Sequence, residues 1–260
     1  MALLIAGFSL LTYFSTSEFN PVTKQNQHLD LSPRQEIALG LQSAPVMENQ
    51  YGGLSADSAS ADKIADIGRD LVTKTTVGST PYKYEFHLLA DDHTINAFAL
   101  PGGQVFMTDG LLKQLRTQGE IACVLAHEVG HVAARHSAQH IAKNQLMQGL
   151  TGAAVIATYD PNDPASRNSA AIATLIGELI TLKFGRHDEL EADKLGVRFA
   201  EEAGYDPRSM IEVMKILEQA SKTRTPEFFS THPNPEHRIA RIQNAIAEQF
   251  PQGLPDDLIK

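Results

Sequence analysis

The chain has 260 residues, enough for one sizeable domain with a real hydrophobic core. Its hydrophobic content is 42% and its charged content 20%, an ordinary globular balance that excludes wholesale disorder. A formal charge of −9, with no compensating Lys/Arg run, argues against nucleic-acid binding, which needs a basic face. The single cysteine, Cys123, excludes an intrachain disulfide and a cysteine-ligated zinc ribbon. It sits in the apolar run Ile121–Leu125 and reads as a small buried hydrophobe.

Residues 1–30 read as an N-terminal targeting or anchor segment followed by a linker, and residues 31–260 as one catalytic-size domain. Ala2–Phe14 is apolar and uncharged, shorter than the roughly 20 residues of a spanning helix, and without a basic start or small-residue cleavage site. A membrane-targeting or anchoring role is preferred over a buried helix. Ser15–Asp30 is polar and has a linker's composition.

Ser32-Pro33-Arg34-Gln35 predicts a capped helix start, and Ile64, Ile67 and Leu71 form one stripe of a second helix over Ala61–Lys74. The period then changes. Tyr82–Ala90, Ile95–Leu100 and Gln104–Thr108 read as three short strands of a small antiparallel sheet, broken at Asp91-Asp92-His93 and Pro101-Gly102-Gly103. The rest is mostly helical. Thr117-Gln118-Gly119-Glu120 opens a long helix to about Gln145. Two Ala/Gly-rich stretches follow, Leu146–Thr158 and Ala170–Phe184, read as core helices or a hairpin over a cleft rather than membrane spans. Further helices cover about His187–Ala203, Asp206–Lys222 and the stretch from Asn234-Pro235 through Ile246.

His127-Glu128-Val129-Gly130-His131 carries the chemistry. Residues four apart share a helical face, so both imidazoles can reach one metal ion. Glu128, offset by one position, sits beside the ion and can deprotonate a water. The three letters alone match by chance in about one such chain in forty, so the helical context matters. Gly130 in mid-helix costs about 1 kcal/mol against Ala, which makes sense where another element approaches closely. Two histidines leave the site incomplete, and Ala134 and Ser137 stand where a third histidine pattern would need Gly and His. The third ligand is therefore sought in Arg186–Asp193. Glu189 and Asp193 lie four apart on one helical face, and Glu191 points away from both. Glu189 is assigned as ligand and Asp193 as an acceptor that orients a ligating imidazole.

This pattern, HExxH followed by Glu-x-x-x-Asp, resembles the gluzincin metallopeptidases of peptidase family M-48, the group of HtpX, BepA and the integral-membrane CAAX prenyl proteases. Asn96–Gly103, Gly185–Gly196 and Ser230-Thr231-His232-Pro233 with Arg238-Ile239 resemble further family segments, so the likeness runs from about Ser32 to Ile246. The chain resembles the BepA-like soluble-domain branch, without an evident helical-repeat domain after it. The resemblance implies one Zn2+ per chain, polypeptide substrates, envelope protein quality control, and a membrane-anchored or exported protein with an extracytoplasmic catalytic domain.

An extended Asn96-Ala97-Phe98 strand at a cleft edge can add a peptide by strand pairing, and the Asn96 amide can meet a substrate carbonyl. His232 can donate to the developing oxyanion, or cap the zinc as in a BepA-like resting state. The oxyanion role is preferred, because a peptidase needs such a donor and no other loop offers one. Arg238 can orient a carboxylate or the His232 loop, while His136, His140 and His187 read as surface or supporting groups. The fold expected is α+β and zincin-like, with the small sheet beside the active-site helix. The expected reaction is metal-assisted peptide-bond hydrolysis on extended or unfolded segments, with Glu128 as base. The rivals are an exopeptidase and a chaperone-like binding protein with a capped or structural zinc site.

Overall fold

The computed structural model describes residue 11 and residues 13–148, 175–179, 182–222, 225–233 and 237–260. The first ten residues of the apolar N-terminus and most of the two Ala/Gly-rich stretches, with the loop between them, lie outside the described residues. In chain order the elements are β1 (Ser17–Asn20), β2 (Gln25–His28), α1 (Pro33–Gln50), α2 (Ser58–Thr73), β3 (Glu85–Leu89), β4 (Ala97–Ala99) and β5 (Gln104–Thr108). There follow α3 (Asp109–Leu112), α4 (Gln118–Ala133), α5 (His136–Gln148), α6 (Arg186–Glu202), α7 (Ser209–Ala220), α8 (Phe228–Thr231) and α9 (Arg238–Gln249). The class is α+β, as expected. Among the described residues, no helix is long and apolar enough to cross a membrane.

Helix α4 is the axis of the fold. Thr117 and Glu120 close its N-terminus with reciprocal side-chain bonds, the capping box read from the sequence. Every residue from Gly119 to Ala133 is buried, as befits a helix packed on all sides. Its tightest neighbour is α6. A Cβ on Gly130 would stand 3.1 Å from the Ala192 carbonyl oxygen, and one on Gly196 would stand 3.2 Å from the His127 nitrogen. Paired glycines thus bring the two backbones together, which is the close approach that Gly130 foreshadows. Around this pair lies one core that includes Ile64, Ile67 and Leu71 of α2, Val105 and Met107 of β5, and Phe199 of α6.

The sheet differs from the antiparallel one expected. Its order is β3-β5-β4, with β5 parallel to β3 and antiparallel to β4. After β3, Asp91 accepts bonds from His93 N, Thr94 N and the Thr94 hydroxyl, turning the chain away from a hairpin. Within this sheet β4 and β5 form a hairpin, through Pro101–Gly103. Alternation locates strands but does not say which pair. The burial of every β5 residue marks it as the central strand.

Two further expectations are corrected. Ser15–Asp30 is no linker, because it holds the antiparallel β1–β2 hairpin docked under α4. Asn20 Nδ2 donates to the Ala133 carbonyl at 2.8 Å, and Gln27 Nε2 to the Ala134 carbonyl at 2.9 Å. These side chains satisfy carbonyls that a helix end leaves without partners. The long helix to Gln145 is in fact two. Arg135 adopts φ 59° between α4 and α5 and is buried against Glu36, with Nε 2.8 Å from Oε1. That ion pair holds the break where helical propensity alone would have run on.

The hairpin bonds are testable. Asn20→Ala should cost about 1–3 kcal/mol, because the buried Ala133 carbonyl loses its side-chain donor. Gln27→Ala should cost less, because Gln139 Nε2 also donates to the Ala134 carbonyl at 2.8 Å. Urea denaturation midpoints measure this, and wild-type midpoints in both variants would show the hairpin to be dispensable.

Candidate metal centre

The α4–α6 crossing sets the site. His127, Glu128 and His131 come from α4, Glu189 and Asp193 from the first turns of α6, and His232 from just beyond α8. All six are buried, with Glu128, Glu189 and His232 at 0% exposure. His127 Nε2 and His131 Nε2 are 3.1 Å apart, and His232 Nδ1 is 3.4 Å from His127 Nε2. Glu189 Oε1 lies 3.4 Å from His131 Nε2 and 3.0 Å from His232 Nδ1. Four donors bound about 2.0–2.1 Å from one tetrahedral ion would be about 3.3–3.4 Å apart. His127, His131, Glu189 and His232 therefore have the separations that a single metal ion needs, with one donor atom each.

Charge supports the same fit. Glu128, Glu189 and Asp193 are three buried carboxylates, and Arg238 is the buried cation that faces them. The carboxylates outnumber the arginine, a surplus of acidic groups that suits a divalent cation. Both Glu128 oxygens are buried and accept no hydrogen bond, and His232 Nε2 lies 3.5 Å from Oε1. These residues fit a bound metal.

The local fields are uneven. Burial pushes the Glu128 carboxyl above its usual range, with only partial relief from His232 and His127. Burial pushes Glu189 upward too, but His232, His131 and His127 outweigh it and hold the carboxyl well below its usual range. For Asp193 burial is overcome by Arg238 and His127, so it remains a carboxylate. Burial holds His131 well below the usual imidazole value, in the neutral form that a metal requires.

His127 and His131 each have a polar group facing the ring nitrogen turned away from the donor cluster. His127 Nδ1 lies 3.0 Å from Asp193 Oδ1, as the sequence pattern suggested for Asp193. Arg238 grips Asp193 through Nε at 2.9 Å and Nη2 at 2.8 Å, and its Nη1 is 3.2 Å from Glu189 Oε2. His131 is served by a residue the sequence reading left among supporting or surface groups. His136 is 1% exposed, its Nδ1 lies 2.9 Å from His131 Nδ1, and its Nε2 lies 3.1 Å from Glu191 Oε2. Glu191 does point away from the donors, but onto His136 rather than into solvent. The five-residue spacing between His131 and His136 hid this, because a continuous helix would not bring them together. The Arg135 break does.

The strand residues are placed unevenly. Asn96 is buried, and its Nδ2 donates to Tyr51 Oη at 3.1 Å, whose hydroxyl reaches Glu227 Oε1 at 2.5 Å. Its amide nitrogen is thus taken up within the protein. Phe98 stacks on Phe106 at 5.0 Å between centroids. Asn96 O accepts from Thr108 N, and Leu100 N donates to Gln104 O, so Asn96, Phe98 and Leu100 face β5. By the alternation of antiparallel pairing, Ala97 and Ala99 direct their amides to the free edge. Phe228 N bonds to Ile95 O at 3.2 Å, which seats the His232 segment against the start of that edge. Between them is a cavity of about 50 Å³ lined by Tyr51, Asn96, Phe98, Phe184, Thr231 and His232, room for water rather than a peptide chain.

The sequence model described as Peptidase family M48 matches residues 58–246. The chain is 32% identical over 200 residues to the beta-barrel assembly-enhancing protease of Escherichia coli, covering 72% of this chain and 39% of that protein. It is 30% identical over 248 residues to the mitochondrial metalloendopeptidase OMA1 of Schizosaccharomyces pombe, covering 94% of this chain and 71% of that one. The OMA1 of Arabidopsis thaliana is 33% identical over 158 residues, covering 61% of this chain and 31% of the relative. The chain thus spans about two fifths of the bacterial relative's length.

Arg238 is the cation on which the acidic side depends. Arg238→Ala should destabilise the protein by about 3–5 kcal/mol, since it leaves the buried Asp193 and Glu189 carboxylates without their arginine. Arg238→Lys should restore only part of this, because one ammonium cannot reproduce the two-point grip. Denaturation midpoints check the order, and an Arg238→Ala protein as stable as wild type would refute it.

Proposed function

Because the chain belongs to peptidase family M48, we propose that it is a zinc-dependent endopeptidase that cleaves extended or unfolded protein segments. The observation that carries this reading is the convergence of His127, His131 and Glu189 on one point, with the Glu128 carboxylate beside it. Two imidazoles and a carboxylate suit zinc among divalent ions, with one zinc per chain. Bound there, zinc would polarise the scissile carbonyl and ease ionisation of the attacking water. Glu128 takes the proton of that water and delivers it to the leaving amine nitrogen. Its raised proton affinity, caused by burial, suits a group that must accept and then return a proton. Asp193 holds His127 in position from behind, and Arg238 holds Asp193.

The position of His232 supports the capping role rather than the oxyanion role preferred from the sequence. Its Nδ1 lies among the donor atoms, and its ring stacks on Phe228 at 4.5 Å between centroids. A closed four-donor set is the arrangement of a resting site, and removal of His232 opens the fourth position. The narrow cavity beside β4 fits the same resting state. With the His232 segment displaced, the free edge at Ala97 and Ala99 would be open to a substrate strand. The same closed set would also serve a binding protein with a permanently capped site, which is the rival reading.

The relatives include a beta-barrel assembly-enhancing protease and a mitochondrial metalloendopeptidase. With the apolar Ala2–Phe14 segment, they support a membrane-associated or exported protein with an extracytoplasmic catalytic domain, working in envelope protein quality control. The partners on this reading are polypeptide substrates and a membrane.

Casein digestion, with zinc measured in each sample, tests the proposal. Glu128→Gln should keep zinc and lose at least about 100-fold in rate, the usual contribution of a positioned base. Chelation should abolish digestion, and readded zinc should restore it. His232→Ala should keep zinc and digest faster. Wild-type digestion by Glu128→Gln would sink the mechanism and favour the binding-protein rival. A slower His232→Ala with zinc retained would return His232 to the oxyanion role.

A further inference from the structure

We propose that His136 and Glu191 are positioning residues for the metal centre, a relay that fixes the tautomer and orientation of His131. The proposal rests on the reading of His131 as a zinc ligand through Nε2. That role requires Nε2 to be an unprotonated donor, so the ring's proton must sit on Nδ1. The group facing Nδ1 at 2.9 Å is His136 Nδ1, which must then be an acceptor. His136 can accept there only as a neutral ring with its proton on Nε2. Glu191 Oε2, 3.1 Å from that nitrogen, is the acceptor that selects this tautomer.

The chain of donors is therefore directional. His131 Nδ1–H donates to His136 Nδ1, and His136 Nε2–H donates to Glu191. Were His136 turned to the other tautomer, two N–H groups would face each other across 2.9 Å. His131 would escape by moving its proton to Nε2, where no metal could bind. His127 has a direct carboxylate partner in Asp193, whereas His131 reaches its carboxylate through one intervening imidazole. The outer end is also held. Gln25 Nε2, at the start of β2, donates to Glu191 Oε1 at 3.0 Å. The hairpin that caps α4 thereby also orients the last member of the relay.

Groups of this kind typically change metal affinity by about 10–100-fold when removed. Zinc dissociation constants, measured by competition with a chromophoric chelator, give the primary readout. Thermal unfolding of the zinc-free proteins gives the second. His136→Leu should weaken zinc binding by about 10–100-fold, whereas His136→Asn should stay within about threefold of wild type. The Asn side-chain oxygen falls where the His Nδ1 lies, so it can still accept from His131. Zinc-free stabilities of the two variants should be alike, so that packing loss does not account for the difference. Glu191→Ala should weaken zinc by about tenfold in the wild-type background and add nothing to His136→Asn, which has already cut the link. This pair decides the matter even where His136→Leu does not fold. Wild-type affinity in both His136→Leu and Glu191→Ala, or equal loss in His136→Leu and His136→Asn, would overturn the relay. The control is His131→Ala. Zinc bound as tightly by His131→Ala as by wild type would instead defeat the ligand assignment beneath the proposal.

Discussion

The close crossing of two helices is the constraint on which the rest of this structure depends. At Gly130 and Gly196 the backbones of α4 and α6 approach until a methyl group would press on a facing main chain. That approach puts the first turns of α6 directly opposite the histidine face of α4. Glu189 then lands among the imidazole nitrogens, and Asp193, one turn on, lands behind His127. The near-complete burial of α4 follows from the same geometry, since a helix packed so closely has no solvent face to give.

Such a site costs heavily in desolvation. Three carboxylates and three imidazoles lie out of water, and only Arg238 opposes them among the buried side chains that face them. Ordinary folding would not gather a surplus of carboxylates in a core, because each uncompensated charge would cost several kcal/mol. A divalent cation resolves the imbalance. The metal centre and the fold are therefore one electrostatic problem, in which the protein supplies shape and surplus negative charge together. The paired glycines, the arginine clamp and the hairpin that ties down the end of α4 all hold that arrangement.

Much of this was legible in the sequence because it is local. Capping boxes at Ser32 and Thr117, the apolar stripe of α2, and the i, i+4 pairs His127/His131 and Glu189/Asp193 each depend on a few neighbouring residues. What stayed hidden depends on pairing across long sequence distances. Strand alternation in 82–108 did not reveal that β5 runs parallel to β3, since pairing partners leave no mark on period. The polar residues Asn20 and Gln27 looked like linker because their targets, two carbonyls more than a hundred residues away, are invisible from their own surroundings. The contact between His136 and His131 was hidden because Arg135, at positive φ and bonded to Glu36, breaks the helix between them. The committed amide of Asn96 was likewise a tertiary fact, set by Tyr51.

The central claim is that three imidazoles and one carboxylate meet on a single zinc in the resting protein. X-ray absorption at the zinc edge reads that first shell directly. The account predicts one zinc per chain with nitrogen and oxygen neighbours only, at about 2.0–2.1 Å, and multiple scattering from three imidazole rings. A shell with two imidazoles and water oxygens would contradict the cap by His232. A shell of carboxylate and water oxygens without imidazole would contradict the centre itself.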